Sequence, residues 1–565
     1  PRHSRKMAPA MADPDNNALA PYYYRDNFLR LCETVEAQYG DLLLPAESVL
    51  LQRFRRLEFR AQCLYVRLIS RLGPWFREDK LAYPELGRTG PLLDALIEQD
   101  MVQRAEALSL QELGKLYTRE ELQQAFGREL GEPRFRDKRA LLVAIEALSL
   151  PAAEPLQRLT TAPGGRVIAA CGLEQVQLLQ LLFFGNRRQS LTEFVLSDLG
   201  VARHFPYALD RAYRLFTERP AVEEYLLCAA FSDTWYAWRD AGQMDTLPAL
   251  AAEMLAVDIH YPSSEGRWHR LCNTVARELE RQGHMDDAYS LYGRSRRHPA
   301  RERRARVLES IEDWEGAIAL CEEIISDPWC EEEREAADRI LPRARRKLHG
   351  GRMPRRRDVF VETRLRLSPG EAPVELLAAT SLMTQWRAVH YVENKLMNAL
   401  FGLAFWEQIF APVPGAFHNP YQSVPTDMYE PAFRLHRRHA LATRLMQLRK
   451  ANLAQELLEA YCAYRPYRCR WVDWRYFDEQ LLVAVTRIVP REHLLAIWER
   501  ILFDPGENRR GFPDLIALGQ EPGDYCLIEV KGPGDALQNG QKRWLRYFAQ
   551  QGIPAQVAWV EWAHD

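Results

Sequence analysis

Residues 511–535, GFPDLIALGQEPGDYCLIEVKGPGD, constrain this chain more than any other stretch. Two apolar runs, Leu515–Leu518 and Tyr525–Lys531, flank a Gly/Pro turn and read as a pair of short strands. Alternation along a strand puts Glu529 and Lys531 on one face and Ile528 and Val530 on the other. Pro513-Asp514 stands just before the first strand. Two acids and a lysine can therefore converge at one end of a hairpin whose back is apolar. Hard divalent cations prefer oxygen ligands, so Asp514, Glu529 and a main-chain carbonyl suit Mg²⁺ or Mn²⁺.

Acid-x-lysine at a strand end is common and by itself says little. The full pattern is more specific, with Pro-Asp before a strand and a hydrophobic run feeding Glu-Val-Lys-Gly. It matches the PD…ExK arrangement of Mg²⁺-dependent nucleases. There a metal activates water and neutralises a scissile phosphate while the lysine helps orient the nucleophile.

At 565 residues the chain is long enough for several domains, and its 47% apolar content allows sizeable cores. The ten cysteines form no CxxC pair and have no matching His spacing, so neither a disulfide framework nor a zinc site is expected. Reduced cytosol fits that usage. No apolar run approaches the roughly 18–20 residues of a membrane span, and no secretory signal is visible. PRHSRK, before Met7, reads as an expression remnant. The net charge of −2 puts any nucleic-acid affinity in local basic patches. No GxxxxGK[ST] loop is present, so ATP-driven action is not expected.

The expected fold is multidomain and mainly α, with a C-terminal α/β domain. Residues 7–104 read as a helical, winged-helix-like DNA-binding domain. Arg53, Arg55, Arg56, Arg77 and Lys80 are its candidate phosphate contacts, although a solvated helical face explains them equally well. Residues 105–172 suggest a SAP-like unit whose basic loop holds Arg134, Arg136, Lys138 and Arg139, with Pro151–Gly172 as linker or exposed turn. Residues 173–357 are helical in pattern. GHMDDAYSLY from Gly283 resembles EDWEGAIALC from Glu312, which suggests stacked TPR-like hairpins.

Between Arg294 and Arg306 stand seven arginines and one acid. Charge runs are usually solvated faces, yet the guanidinium fork suits phosphate oxygens. Arg294, Arg296, Arg297, Arg301, Arg303 and Arg304 are therefore candidates for holding a DNA end. A second cluster, Arg343, Arg345, Arg346, Lys347, Arg352 and Arg355–Arg357, suggests a link that tracks the DNA backbone. From residue 358 the pattern becomes that of a nuclease core. WRAVHYVENKLMNALFGLAFWEQIF reads as one long helix with Glu393 near its start, and Ala399 and Gly402 allow close packing. A helix follows the hairpin and AQVAWVEW ends the order helix–strand–strand–helix–strand.

GAFHNPYQSVPTDMYE, RRGFPDLIAL and LIEVKGPGDALQNGQKRWL together resemble the VRR-NUC module of the PD-(D/E)xK (restriction-endonuclease-like) superfamily. With YYYRDNFL, AQYGDLLL and GPWFREDKLAYPE near the start, nearly the whole chain resembles the Fanconi-anaemia-associated nuclease family. The resemblance implies a helix acid at Glu393, the PD aspartate at Asp514, and the ExK pair at Glu529 and Lys531. It also implies a metal-binding carbonyl at Val530, a supporting glutamine at Gln541, and a 5′-phosphate pocket placed on the Arg294–Arg306 run. Eukaryotic relatives carry a zinc finger that no Cys/His spacing supports here, so a bacterial homologue is expected, cytoplasmic and nucleoid-associated. A eukaryotic source would make it nuclear.

The expected activity is Mg²⁺- or Mn²⁺-dependent 5′-flap endonuclease and 5′→3′ exonuclease action on branched or cross-linked DNA, by a monomer with dimerisation on DNA left open. A Holliday-junction resolvase and a non-catalytic junction-binding scaffold are the alternatives.

Overall fold

Helices Tyr23–Tyr39, Pro45–Arg56 and Phe59–Ile69 begin the described chain and bury Phe28, Leu31, Phe54 and Tyr65 against one another. The computed structural model describes residues 21–563 apart from 72, 132–134, 136, 162–164, 188, 190–202, 351–357 and 466. PRHSRK, Arg134, Arg136, Arg352 and Arg355–Arg357 therefore lie outside the described residues. Two compact units, residues 1–202 and 203–565, divide the chain.

In the first unit a small sheet completes the helices. Its strands are β1 (Trp75–Arg77), β2 (Val102–Arg104) and β3 (Val167–Ala170), in the order β1-β3-β2. β3 corrects the expectation of a linker over Pro151–Gly172. Its VIAA side chains are all buried, and it pairs antiparallel with both neighbours, Trp75 opposite Ala169 and Val102 opposite Ala170. A strand buried on both sides needs only a short apolar run, and here the partners come from distant sequence. Helix Leu173–Phe184 packs on Tyr23–Tyr39, so the expected boundary at 172 falls inside this unit.

Arg77 is corrected too. Its buried guanidinium donates to Asp79 and Glu121, which takes it out of contention as a phosphate contact. Arg55 pairs with Glu36, and Arg53 lies 3.2 Å from Asp100. The SAP-like segment forms helices Leu110–Leu116, Arg119–Leu130 and Lys138–Ala147, the first two opened by the capping boxes Ser109/Glu112 and Thr118/Glu121.

The second unit joins stacked helices to an α/β core. The repeat seen in the sequence returns in the backbone. Gly283 and Glu312 both take left-handed conformations, φ 88° and 61°. The N–H after each closes its helix onto a carbonyl five residues earlier, His284 to Leu279 and Asp313 to Leu308, both at 2.9 Å. Helices Met285–Gly293 and Trp314–Ser326 start just beyond, with Ala288 and Ala317 fully buried in equivalent places. This is the 6→1 closure of a Schellman-type helix end, used twice.

Seven strands follow among the described residues: β4 (Arg203–His204), β5 (Glu362–Leu367), β6 (Ala388–Tyr391), β7 (Tyr467–Arg468), β8 (Leu515–Leu518), β9 (Tyr525–Lys531) and β10 (Ala555–Trp562). β4 and β7 form a minor pair, and the other five make one sheet in the order β5-β10-β9-β8-β6. β10 runs parallel to β5 and β9, while β9, β8 and β6 alternate in direction. One sheet face buries Leu515, Ala517, Ile528, Val530, Ala558 and Val560 under helix Val374–Leu382. The opposite face puts Ile516, Leu518 and Leu527 against Trp544 and Phe548 of helix Asn539–Gln551.

β6 corrects the single long helix. Ala388–Tyr391 pairs with β8, and the helix runs only from Glu393 to Ala404. Gly402 is needed where that helix meets the loop after β7, because a Cβ there would sit 2.8 Å from Trp471 Cβ and 2.9 Å from Val472 Cγ2. No helix among the described residues is long and apolar enough to cross a membrane.

Candidate active site

Asp514 is the last residue before β8, and its main chain ties two distant parts of the sequence together. Its carbonyl accepts from the N–H groups of Val392 at 2.8 Å and Glu393 at 3.0 Å. Its carboxylate accepts from the N–H of Val530, 2.9 Å away on β9. Glu529 and Lys531 lie on the same face of β9, with Lys531 Nζ 2.8 Å from Glu529 Oε1. Their side chains are only 1% and 10% exposed, so the two groups meet in a buried cleft. Gln541 also donates its side-chain amide to Glu529 Oε1.

Gly511 explains how Gln541 gets there. It sits at φ 81°, and a Cβ on it would lie 2.7 Å from the Gly540 carbonyl carbon and 3.0 Å from the Gln541 nitrogen. Only glycine accepts both the left-handed backbone and the contact. The first turn of helix Asn539–Gln551 thus lies directly on the loop that leads into Asp514, with Gln541 Oε1 capping its own helix through the Gln538 N–H at 2.8 Å.

Glu393 opens helix Glu393–Ala404 in a left-handed conformation, φ 38°. That is strained for a non-glycine residue, and such strain persists where surrounding contacts impose it. The contacts here are the two hydrogen bonds to the Asp514 carbonyl. The Glu393 carboxylate accepts from Tyr391 Oη at 3.0 Å and Asn394 Nδ2 at 3.2 Å. Asn394 Oδ1 in turn accepts from the Phe512 N–H at 3.2 Å.

Burial, and then the neighbouring Asp514 charge, pushes the Glu529 carboxyl up to about 8, against the smaller opposing pull of Lys531. Burial pushes Asp514 up to about 6, with Val530 N–H and Lys531 pulling down and Glu375 and Glu393 adding upward repulsion. Tyr391 rises to about 12 by burial and by its bond to Glu393.

A divalent cation fits this donor set. Glu529 Oε2 is buried with no hydrogen-bond partner, an arrangement that is costly unless something else meets the oxygen. It stands beside a second carboxylate pushed toward protonation, and a dication would relieve both. Asp514, Glu529 and the Val530 carbonyl are the oxygen donors at hand. Among the described residues no three His, Cys, Asp or Glu side chains are gathered as a complete metal cage, and the Glu393 carboxylate is held by Tyr391 and Asn394.

All six residues expected at the nuclease site thus lie in one neighbourhood. Tyr391, Asn394, Gly511 and Glu375 went unnoticed in the sequence. Tyr391 could have been found from its place two residues before Glu393, had β6 been read as a strand.

The arginine run behaves differently. Arg301 donates to Glu333 at 2.9 and 2.7 Å and to Glu323 at 3.2 Å, and it stacks over Trp329. Arg303 pairs with Glu280, Arg294 with Asp258, Arg297 with Glu430, and Arg304 with Tyr289. The expected phosphate pocket is therefore corrected for Arg301 and Arg303, whose charges brace helices of the repeat. Arg296 is exposed. In the second cluster Arg343 and Arg345 also face carboxylates, Glu309 and Glu322, each at 2.6 Å.

Comparison with known proteins gives a consistent set of likenesses. Residues 449–562 match the model of the VRR-NUC domain, and residues 22–103 match that of the FAN1 HTH domain. The chain is 35% identical to the Fanconi-associated nuclease 1 homolog of Pseudomonas aeruginosa, over 96% of this chain and 97% of that protein. It is 32% identical to Fanconi-associated nuclease 1 of Danio rerio over 173 residues, 30% of this chain and 18% of that one. The crystal structure of paFAN1 bound to 2nt 5′ flap DNA with gap superimposes with a TM-score of 0.82 at 34% identity, covering 97% of this chain and 100% of that chain. The matched VRR-NUC segment contains Asp514, Glu529, Val530, Lys531 and Gln541; Glu393 lies upstream of it and is brought in by the fold.

Proposed function

The chain belongs to the Fanconi-associated nuclease 1 family, and from that premise we propose that it is a divalent-metal-dependent 5′-flap endonuclease with 5′→3′ exonuclease action on branched or cross-linked DNA. As a family member it is a structure-specific DNA repair nuclease. The finer reading rests above all on the buried, unpartnered Glu529 Oε2 beside Asp514 and Lys531.

Asp514, Glu529 and the Val530 carbonyl would hold Mg²⁺ or Mn²⁺, with Glu393 completing the set. When bound, the metal supplies Lewis-acid stabilisation of the attacking and leaving oxygens and a water of lowered pKa. The remaining work belongs to the protein. Val530 N–H fixes the Asp514 carboxylate, and Gln541 fixes one oxygen of Glu529 while the other stays buried and without a partner. Without a cation, Glu529 holds a proton near neutrality. Lys531, on the same strand face, positions the attacking water and meets negative charge on the phosphoryl oxygens. Burial of the pair excludes bulk water, which strengthens each of these interactions.

A flap assay with and without Mg²⁺ or Mn²⁺ tests the reading. Metal-dependent incision of flap DNA is expected in the wild type and is lost in Asp514→Asn, which still binds flap DNA. Retained cleavage by purified Asp514→Asn refutes the assignment.

A further inference from the structure

The catalytic strand continues into a groove that no step so far has used. Past Lys531 the chain runs through Gly532-Pro533-Gly534 along a cavity of about 940 Å³, bounded on its other sides by β10 and β5. Sheet register ties the cavity to the candidate active site. Trp559 of β10 stands opposite Lys531, and Arg364 of β5 stands opposite Trp559. Strands lie about 4.8 Å apart, so Lys531, Trp559 and Arg364 form one row, roughly 5 and 10 Å out from the lysine. Two residues further along β5, Arg366 stands opposite Glu561. By the pleat these side chains share the face that carries Glu529 and Lys531.

The chemistry of the lining is specific. Trp559 is half-buried, offering an indole surface. Arg364 and Arg366 are 78% and 85% exposed on a strand that forms the sheet edge. Both share one carboxylate, Glu561, at 2.9 and 3.9 Å, which leaves most of their ten N–H donors for another anion. Glu362, two residues before Arg364 on the same face, is the other acid of the lining among the described residues. Gly534, at φ 89° with nothing near its missing Cβ, keeps the opposite wall bare main chain, which admits a polymer at close range. An aromatic face among arginines beside a bare backbone wall is how single-stranded nucleic acid is held, one base stacked and its phosphates paired.

We propose that this groove binds the single-stranded segment next to the scissile phosphate, a base on Trp559 and its phosphates on Arg364 and Arg366. The inference rests on the nuclease reading of Asp514, Glu529 and Lys531. Through it the distance from Lys531 to Trp559 becomes a ruler that helps set which phosphodiester enters the cleft.

The test uses the full chain and 5′-flap DNA carrying a single 2-aminopurine, moved one nucleotide at a time across the mapped cut. In EDTA, wild-type protein should quench 2-aminopurine at one position beside the cut, and Trp559→Ala should abolish that quench. The Arg364→Ala/Arg366→Ala double variant changes only exposed side chains and should keep the wild-type melting temperature. Its KM for flap DNA should rise about tenfold or more, the size expected for losing two phosphate contacts. Quenching at no position, quenching that survives Trp559→Ala, or an unchanged KM and cut site in the double variant each overturns the groove. Wild-type protein that cuts no flap with Mg²⁺ or Mn²⁺ instead sinks the nuclease reading on which the proposal stands.

Discussion

Lys531 Nζ lies 2.8 Å from Glu529 Oε1, while Oε2 of the same carboxylate is buried and meets no partner. One oxygen is neutralised within the protein and the other is left for something brought from outside. Removing that second oxygen's charge should therefore leave the fold intact and the chemistry absent. Glu529→Gln, like Asp514→Asn, is expected to cut flap DNA at least about a thousandfold more slowly, equivalent to roughly 4 kcal/mol of transition-state stabilisation. Single-turnover rates at saturating metal measure this, and flap binding should stay near wild type.

Stability should depend on pH through the same pair. The folded-state values of Glu529 and Asp514 are raised above their ordinary ones, to about 8 and about 6. The folded protein therefore binds more protons than the unfolded chain between about 4 and 8, and stability falls as pH rises through that window. Metal-free protein is expected to melt at lower temperature at pH 8 than at pH 6. Glu529→Gln should flatten that slope, and Mg²⁺ or Mn²⁺ should raise the melting temperature most at the alkaline end. A melting series in EDTA and in metal checks the sign.

Gly511 carries a steric prediction. Gly511→Ala places a methyl 2.7 Å from the Gly540 carbonyl carbon in a backbone that disfavours any side chain. A loss of about 1–3 kcal/mol is expected, visible in urea denaturation. Because the displaced turn carries Gln541, the variant should also lose activity beyond what its unfolded fraction explains.

Arg301 separates structural arginine from phosphate-binding arginine. Its side chain is 8% exposed and that of Glu333 is 0%. Removing the guanidinium strands a buried carboxylate, so Arg301→Ala should destabilise the protein by about 3–5 kcal/mol. The ratio of cleavage rates on 5′-phosphorylated and 5′-hydroxyl flaps should not change. A shift in that ratio at unchanged stability would restore Arg301 to the DNA interface.

Tyr391 should matter more modestly. Its hydroxyl donates to the Glu393 carboxylate at 3.0 Å, so Tyr391→Phe leaves that acid held by Asn394 alone. A charged hydrogen-bond acceptor losing one donor suggests a cost of roughly 1.5–3 kcal/mol. The expected result is a higher metal concentration for half-maximal rate with little change in flap affinity, read from a metal titration.

Much of the site was legible because it is local. Asp514, Glu529 and Lys531 lie in one hairpin, where alternation alone decides which side chains share a face. Glu393 was legible only as a helix-start acid and through family likeness, since its tie to Asp514 is a main-chain bond between remote segments. Ala388–Tyr391 reads as helix in the sequence because AVHY continues into a helical period, and its pairing with β8 makes it a strand. β3 was missed for the same reason, its partners being β1 and β2. In the arginine run the sequence displays the cations together and hides the acids that meet them; Glu280 and Glu333 arrive from neighbouring helices.

The hydrogen bond from Phe512 to Asn394 spans 118 positions, and the bonds from Val392 and Glu393 to Asp514 close the same gap. Everything between those points must be synthesised and folded before Glu393 meets Asp514, and β9 must follow before either meets Glu529. A ribosome-bound or proteolysed fragment ending short of β9 carries no assembled cleft. The cleft therefore cannot form until the strand that carries Glu529 and Lys531 has been made.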